Sequence, residues 1–157
     1  PVTSGPPGSC SRRRWLRLGG GLCLAGALPA RADGEKLVLV VGAHSPLTAL
    51  NSHEVHRLFL GLTAIINDRR LRPVRNDSDA LMRDVFFQNV VSMSEAVYDR
   101  RMLALTLQQA GQPPTVLADT KAVFELLAKD ADAVSFAWAD AAARDPRIRV
   151  LRELWRR

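Results

Sequence analysis

The sequence predicts an α/β domain in which a small mixed sheet is flanked by helices. Two observations lead to this fold class. First, residues 36–41 contain the continuous apolar run L-V-L-V-V, which is typical of a strand buried on both faces, and residues 133–138 are a further strand. Second, several segments repeat apolar residues every three or four positions behind a capping residue, which indicates helices. Strands and helices mixed within one small domain favour helices that cover a sheet.

Residues 1–32 are predicted to be a signal peptide and 33–157 the folded domain. Four arginines between positions 12 and 17 precede an apolar run from Leu18 to Leu28, and Ala30-Arg31-Ala32 is a cleavage site of the A-x-A type. The segment 11–17 also resembles the twin-arginine export motif, although arginine-rich leaders serve the general pathway too. Because a signal peptide directs export, we expect a periplasmic protein. The other interpretation of residues 1–32 is an N-terminal helix of the folded domain.

Charge and cysteine usage restrict the partners. The chain has 22 basic and 16 acidic residues, a net charge of +6, but the first 32 residues hold five arginines and no acid. The folded part is then 17 minus 16, or +1, which argues against nucleic acid as a partner. Both cysteines, Cys10 and Cys23, precede residue 33, so no disulfide is expected in the domain. The leader's apolar run is shorter than the roughly 20 residues a membrane span needs, and no stable membrane insertion is expected.

The first elements can be placed in order. Residues 36–41 form a buried strand, and a loop with a Ser-Pro turn follows to residue 50. A helix is predicted over 51–60, where Asn51 caps the first turn, Glu54 reaches back to it, and Gly61 ends the helix. Residues 71–74, interrupted by a proline, are either a brief strand or a loop.

Three further helices and two strands follow. The helices are predicted at 79–91, 94–109 and 119–129, with a Gly-Pro breaker at 110–114 before the last. The strands are predicted at 133–138 and 148–151. The residues expected to face the core are Leu81, Val85, Phe86 and Val90 in the first of these helices, Val97, Met102, Leu105 and Leu107 in the second, and Val123, Leu126 and Leu127 in the third.

Several fragments, in order, resemble one family. Leu50–Gly61 is similar to the pattern L-S-x-x-x-L-x-x-I-F-L-G of short periplasmic proteins related to the phosphate-binding component of ABC importers. Phe86–Val91 resembles the family's F-Y-Q-x-V-L, and Gly111–Pro114 its G-Q-P-P. Ala133–Ala137 stands where the family has A-I-G-Y-V, and Ile148–Leu151 where it has its closing strand. The resemblance implies a fold like that of type 2 periplasmic binding proteins, here about one lobe.

The chain departs from the family pattern where ligand is expected. The family's ligand serine aligns with Ala80, an aromatic residue of the third helix aligns with Met102, and Gly-Tyr is replaced by Ser135-Phe136. These departures affect phosphate binding more than they affect the fold.

Four residues are candidates for binding an anion. A helix start offers backbone N–H groups, and hydroxyls and arginines complete an anion site. Asn76 and Ser78 precede the helix predicted at 79–91, and Arg83 lies within it. Ser45 follows the first strand and resembles a ligand-contacting position of the longer relatives. Each also has a purely structural interpretation, as a cap, a turn residue or a solvated helix face.

The residues give no reason to expect an enzyme, a cofactor or a metal. His53 and His56 could reach one ion from one helix face, but no third ligand has a recognisable spacing. Nucleophile elbows, phosphate loops and metalloprotease motifs are absent from the sequence.

The sequence and its resemblance thus predict a periplasmic solute-binding protein that is linked to ABC-type import. Its predicted ligand is a small oxyanion, and phosphate is the first candidate. Its partners would be the anion and an ABC permease or a membrane sensor. The alternative is a ligand-free interaction or sensory-accessory protein that kept the fold.

Overall fold

The computed structural model describes residues 35–108 and 111–157. The predicted signal peptide and its cleavage site lie outside these residues, so that division of the chain stays a prediction. The elements are, in chain order, β1 (Lys36–Gly42), α1 (Ser52–Phe59), β2 (Ile65–Ile66), β3 (Arg69–Arg70), β4 (Arg72–Asn76), α2 (Ala80–Val85), α3 (Glu95–Leu107), β5 (Thr115–Leu117), α4 (Thr120–Lys129), β6 (Ala133–Trp138), α5 (Ala139–Arg144) and β7 (Ile148–Arg156). A π-helical turn, Phe86–Val90, continues α2 without a break.

Five strands form one mixed sheet in the order β5-β4-β6-β1-β7. Strand β1 runs antiparallel to both β6 and β7, while β4 runs parallel to β6 and β5. The prediction of a small mixed sheet flanked by helices is therefore confirmed. The remaining strands, β2 and β3, form a separate hairpin whose two turn residues, Asn67 and Asp68, have φ angles of 52° and 60°. Such positive φ angles match the twist of a two-residue hairpin.

The side chains of β1 alternate between two layers of core. Leu37, Leu39 and Val41 pack with α1, α2 and the π-helical turn, whereas Val38 and Val40 pack with α4 and α5. A strand covered on both faces needs an uninterrupted apolar run, which is what positions 37–41 provide. The predicted double burial of this strand is confirmed.

Helix α1 has the predicted start and end. The Asn51 side chain accepts from the Glu54 N–H at 2.8 Å, and the Glu54 carboxylate accepts from the Asn51 N–H at 2.7 Å. Past its end, Gly61 has a φ angle of 75°, and a Cβ there would lie 2.9 Å from the side chain of Leu105. Glycine fits this left-handed position without strain.

Some sequence expectations are wrong. Leu81, Val97 and Leu107 were expected in the core, but their side chains are 38%, 51% and 76% exposed. In α3 the buried residue is instead Tyr98, whose hydroxyl donates to the Phe59 carbonyl at 2.7 Å. The predicted order also lacked β2, β3, β5 and α5, and β7 continues five residues beyond the predicted end at 151.

Candidate functional site

Two helices begin at the same edge of the sheet. Strands β4 and β5 are adjacent and parallel, and each is followed within a few residues by a helix, α2 and α4 respectively. The Asp77 N–H donates to the Leu117 carbonyl at 2.8 Å, which ties the two strand ends together. Because carboxyl ends of parallel strands meet at one edge, the starts of both helices face the same region.

A hydroxyl pair lies between the helix starts. The oxygens of Ser78 and Thr120 are 2.7 Å apart, so one hydroxyl donates to the other and one O–H remains for a further acceptor. Asn76, fully buried at the end of β4, contacts both residues of the pair. Its amide donates to the Phe136 carbonyl at 3.1 Å and lies 3.5 Å from the Thr120 oxygen, while its Oδ1 accepts from the Ser78 N–H at 3.2 Å.

Carboxylates occupy part of both helix starts. Asp79 caps α2 by accepting from the Met82 N–H at 2.8 Å. Asp119 caps α4 by accepting from the N–H groups of Lys121 and Ala122 at 3.1 and 3.3 Å. Each cap satisfies backbone donors that an anion could otherwise use, and each adds a negative charge beside the hydroxyls. A ligand in this region therefore has to offer hydrogen-bond donors as well as acceptors.

A buried arginine supports the loop that carries Ser78. The Arg75 side chain is 10% exposed, and its Nη2 lies 2.6 Å from Asp77 and its Nη1 3.6 Å from Asp99. Its guanidinium carbon is 5.6 Å from the ring centroids of both Phe87 and Tyr98. The arrangement combines a buried ion pair with cation–π contacts and fixes the chain between β4 and α2.

The ion pair leaves polar atoms without partners. Among the described residues, the buried Nε of Arg75 and Oδ1 of Asp77 have no hydrogen-bond partner. Burial opposes the charge of Arg75, but the hydrogen bond that Arg75 donates to Asp77 and the negative charge of Asp77 outweigh this, so the pKa of Arg75 is raised. For Tyr98, burial disfavours the phenolate and raises the pKa, and this outweighs the lowering effect of the Arg75 charge. Arg75 is therefore charged at neutral pH.

Ser45 is engaged elsewhere. Its hydroxyl is buried and donates to the Ala131 carbonyl at 2.6 Å. The Arg149 guanidinium holds the same loop by donating to the carbonyls of Ser45 and Leu47 at 2.8 and 2.6 Å. The structure gives Ser45 no contact with the hydroxyl pair, and its observed partners are those of a loop residue.

Arg83 lies in the last turn of α2, half-buried, and its Nε has no partner among the described residues. It has no contact with Ser78. Of the four predicted residues, the structure therefore brings Asn76 and Ser78 together, and it places Ser45 and Arg83 apart from them. Ala80, where the family has its serine, is the first residue of α2 and offers no side-chain hydrogen bond.

Thr120 is a candidate site residue that the sequence alone does not reveal. It lies at the start of the helix predicted at 119–129, which Asp119 caps. The signal that could have found it is a hydroxyl at a helix start directly after a short strand, parallel to the strand that carries Ser78. That strand, β5, is not predicted, because its three residues, none of them fully buried, are too few to show a periodicity.

The two helix histidines have different surroundings. The His56 Nδ1 is 2.9 Å from the Val90 carbonyl, which requires a proton on Nδ1, while His53 is exposed. Within residues 35–108 and 111–157, no three His, Cys, Asp or Glu side chains are grouped to hold a metal ion.

Comparison with known proteins identifies the fold. No protein-family model and no curated protein matches the chain. Among solved structures, it is similar to a Clostridium perfringens protein described as a phosphate ABC transporter substrate-binding protein with bound phosphate, at 13% identity and a TM-score of 0.56. It is also similar to PstS of Borrelia burgdorferi, at 9% identity and a TM-score of 0.55.

The similarity covers most of this chain but less than half of each neighbour. Each match covers 76% of this chain, but only 45% of the clostridial protein and 47% of the Borrelia protein. The chain therefore spans less than half the length of the proteins it resembles. The family resemblance predicted from its motifs is confirmed at the level of the fold: the chain has the α/β fold of the phosphate ABC transporter substrate-binding proteins over the part that it shares with them.

Proposed function

We propose that this protein is a solute-binding domain that holds a small oxyanion for ABC-type import, with phosphate as the preferred ligand. The observation that carries the proposal is the hydroxyl pair of Ser78 and Thr120 between two helix starts. Helix starts attract anions through their N–H groups and dipoles, and hydroxyls adapt to either donor or acceptor atoms. The Clostridium perfringens neighbour, described with bound phosphate, supports the same ligand class.

The charge around the pair favours a ligand that carries its own proton. Asp79 and Asp119 flank the hydroxyls and repel a fully ionised anion. Phosphate near neutral pH keeps at least one O–H, which a carboxylate or hydroxyl oxygen can accept, whereas sulfate has none. We therefore expect phosphate to bind more tightly than sulfate.

Calorimetric titration of the purified protein with phosphate and with sulfate tests the proposal. Replacing Ser78 by Ala or Thr120 by Val removes one hydrogen bond to a charged ligand, which is expected to cost about 1.5–3 kcal/mol of affinity. The matched control is Thr106→Val, because this hydroxyl lies on α3 and donates to the Met102 carbonyl. Absence of heat with either anion at millimolar concentration would exclude the binding role.

The second candidate is a ligand-free interaction or sensory-accessory protein that kept the fold. The saturation of both helix starts by their own carboxylates favours it, because Asp79 and Asp119 already satisfy donors of the first turns. Under this alternative, unfolding midpoints of the wild type and of Thr120→Val are the same with and without phosphate. A bound anion at about 100 times its Kd would instead add roughly 2.7 kcal/mol of stability to the wild type.

Location and transport partner belong to the proposal as well. None of the helices in the described part of the chain has the length and apolar character to cross a bilayer. We propose a periplasmic protein that passes its ligand to an ABC permease or signals to a membrane sensor. Replacing Arg12 and Arg13 by Lys should stop export by the twin-arginine route, since that route reads the arginine pair itself. Unchanged periplasmic yield would assign the protein to the general pathway.

A further inference from the structure

The hydroxyl pair of Ser78 and Thr120 lies between two carboxylates that carry no counter-charge. Asp79 directly follows Ser78 and Asp119 directly precedes Thr120, and the two hydroxyl oxygens are only 2.7 Å apart. In the part of the chain that the structure describes, neither carboxylate forms an ion pair with a lysine, arginine or histidine. The region around the pair therefore has two uncompensated negative charges.

A third carboxylate at this edge of the sheet is neutralised, which distinguishes it from the other two. Asp77 lies 2.6 Å from Arg75, and both side chains are nearly buried. Asp79 and Asp119 are instead exposed to solvent. Among the described residues, their hydrogen bonds go only to backbone N–H groups of the first helical turns, and Asp79 uses a single oxygen, Oδ1. Because a carboxylate has about four lone-pair sites, both side chains can still accept hydrogen bonds from a ligand.

An anionic group alone does not satisfy such a site. Phosphate at the hydroxyl pair gains hydrogen bonds from the hydroxyls, but the two carboxylates beside it oppose its charge. A ligand that also carries a positive group a few ångströms from its phosphate turns this repulsion into attraction. A primary ammonium suits the carboxylates best, because it has three N–H donors, no acceptor and a full positive charge.

We propose that the ligand is a phosphate or phosphonate group joined by a short chain to an ammonium group. The phosphate accepts from the hydroxyl pair, and the ammonium donates to Asp79 and Asp119. This inference rests on the proposed function, because the phosphate group keeps the place assigned to it there. It adds that the two carboxylates select among phosphate compounds by the charge of the substituent.

Calorimetric titration with three phosphate esters tests the proposal. The probes are 2-aminoethyl phosphate, its N-acetyl derivative, in which the nitrogen is neutral, and ethyl phosphate. Since two carboxylates attract the ammonium, we expect 2-aminoethyl phosphate to bind at least about tenfold more tightly than either ester with a neutral chain. Sodium chloride at about 0.5 M should reduce this difference, because salt screens exposed charges.

Asp79→Asn combined with Asp119→Asn removes both charges and keeps both helix caps, because asparagine caps a helix about as well as aspartate does. In this double variant the two esters with neutral chains should bind more tightly than in the wild type, and the advantage of 2-aminoethyl phosphate should disappear. The matched control is Asp68→Asn, which removes a charge from the β2–β3 hairpin, at the opposite end of β4 from Ser78. Asparagine also tolerates the positive φ angle of Asp68, so this variant should keep the advantage.

The possible results separate this inference from the proposed function. Binding of inorganic phosphate and ethyl phosphate without any advantage of the ammonium would overturn the inference and leave the proposed function intact. An advantage that survives in the double variant would also overturn it, since the ammonium would then be bound by other groups. If none of the phosphate compounds binds, the proposed function fails and the inference fails with it.

Discussion

The ion pair between Arg75 and Asp77 supports the loop that presents Ser78, and we expect its removal to destabilise the whole domain. The Arg75→Met variant keeps most of the side-chain volume but leaves the Asp77 carboxylate without a counter-charge. The side chains of this pair are only 10% and 15% exposed, so solvent compensates little. Breaking a buried pair in this way costs about 3–5 kcal/mol. Asp77 keeps some contact with solvent, so we expect a value near the lower end.

A double-mutant cycle identifies the source of the loss. Arg75→Met combined with Asp77→Asn removes the stranded charge, and we expect it to recover more than half of the stability lost in the single variant. Arg75→Lys should fall between the wild type and Arg75→Met, because an ammonium lacks the planar fork that reaches both acids. The control is Arg144→Met, whose ion pair with Asp140 is 76% and 67% exposed and should contribute less than about 1 kcal/mol.

Urea unfolding, followed by circular dichroism, measures these free energies from the midpoint and slope of each transition. We expect a large loss of stability in Arg75→Met with an unchanged slope. This expectation would be refuted if Arg75→Met lost no more stability than Arg144→Met. It would also fail if the double variant were as unstable as the single one, since the cost would then not come from a stranded carboxylate.

Three further predictions concern stability. Tyr98→Phe leaves the buried Phe59 carbonyl without its donor and should cost about 1–3 kcal/mol in urea unfolding. Asn51→Ala removes the capping box of α1 and should lower the free energy of unfolding by about 0.5–2 kcal/mol. Asn51→Gly should lower it by only a few tenths of a kcal/mol relative to the wild type. Hydrogen bonds from Arg147 lower the pKa of Asp145 from 3.8 to about 2, so its contribution is present above pH 3.8 and is lost as the pH falls toward 2. Asp145→Asn should therefore flatten the fall in stability over that pH range, and an unchanged slope in acid titration would contradict this.

Local signals predicted the elements that depend on neighbouring residues. The cap of α1 is built from Asn51 and Glu54, three positions apart, and β1 is a continuous apolar run, so both are visible in a short window of sequence. The resemblance added the periplasmic-binding-protein-like fold to the α/β class, because its fragments keep their order along the chain. Helix α4 is also where predicted, since Asp119 caps it.

Features that depend on tertiary contact could not be read in this way. Helix α3 is apolar on both sides, so its spacing alone did not decide which side is buried, and Leu107 was placed inside. The hydroxyl contact joins Ser78 to Thr120, 42 positions later, and depends on the parallel pairing of β4 with β5. This pairing could not be predicted, because β5 has only three residues. The cation–π contacts of Arg75 likewise come from the packing of the π-helical turn and α3 on the end of β4.

We propose that an anion occupies the region between the starts of α2 and α4. The most direct measurement is a titration of the ¹⁵N-labelled protein with phosphate, followed by the backbone amide signals. The amide signals of Ser78 and Thr120, and those of the first turns of the two helices, should shift in a saturable manner. Thr120→Val should weaken these shifts, and Thr106→Val should leave them unchanged. Signals that do not move, or that move only elsewhere on the chain, would contradict the assignment of the anion site to this pair of helix starts.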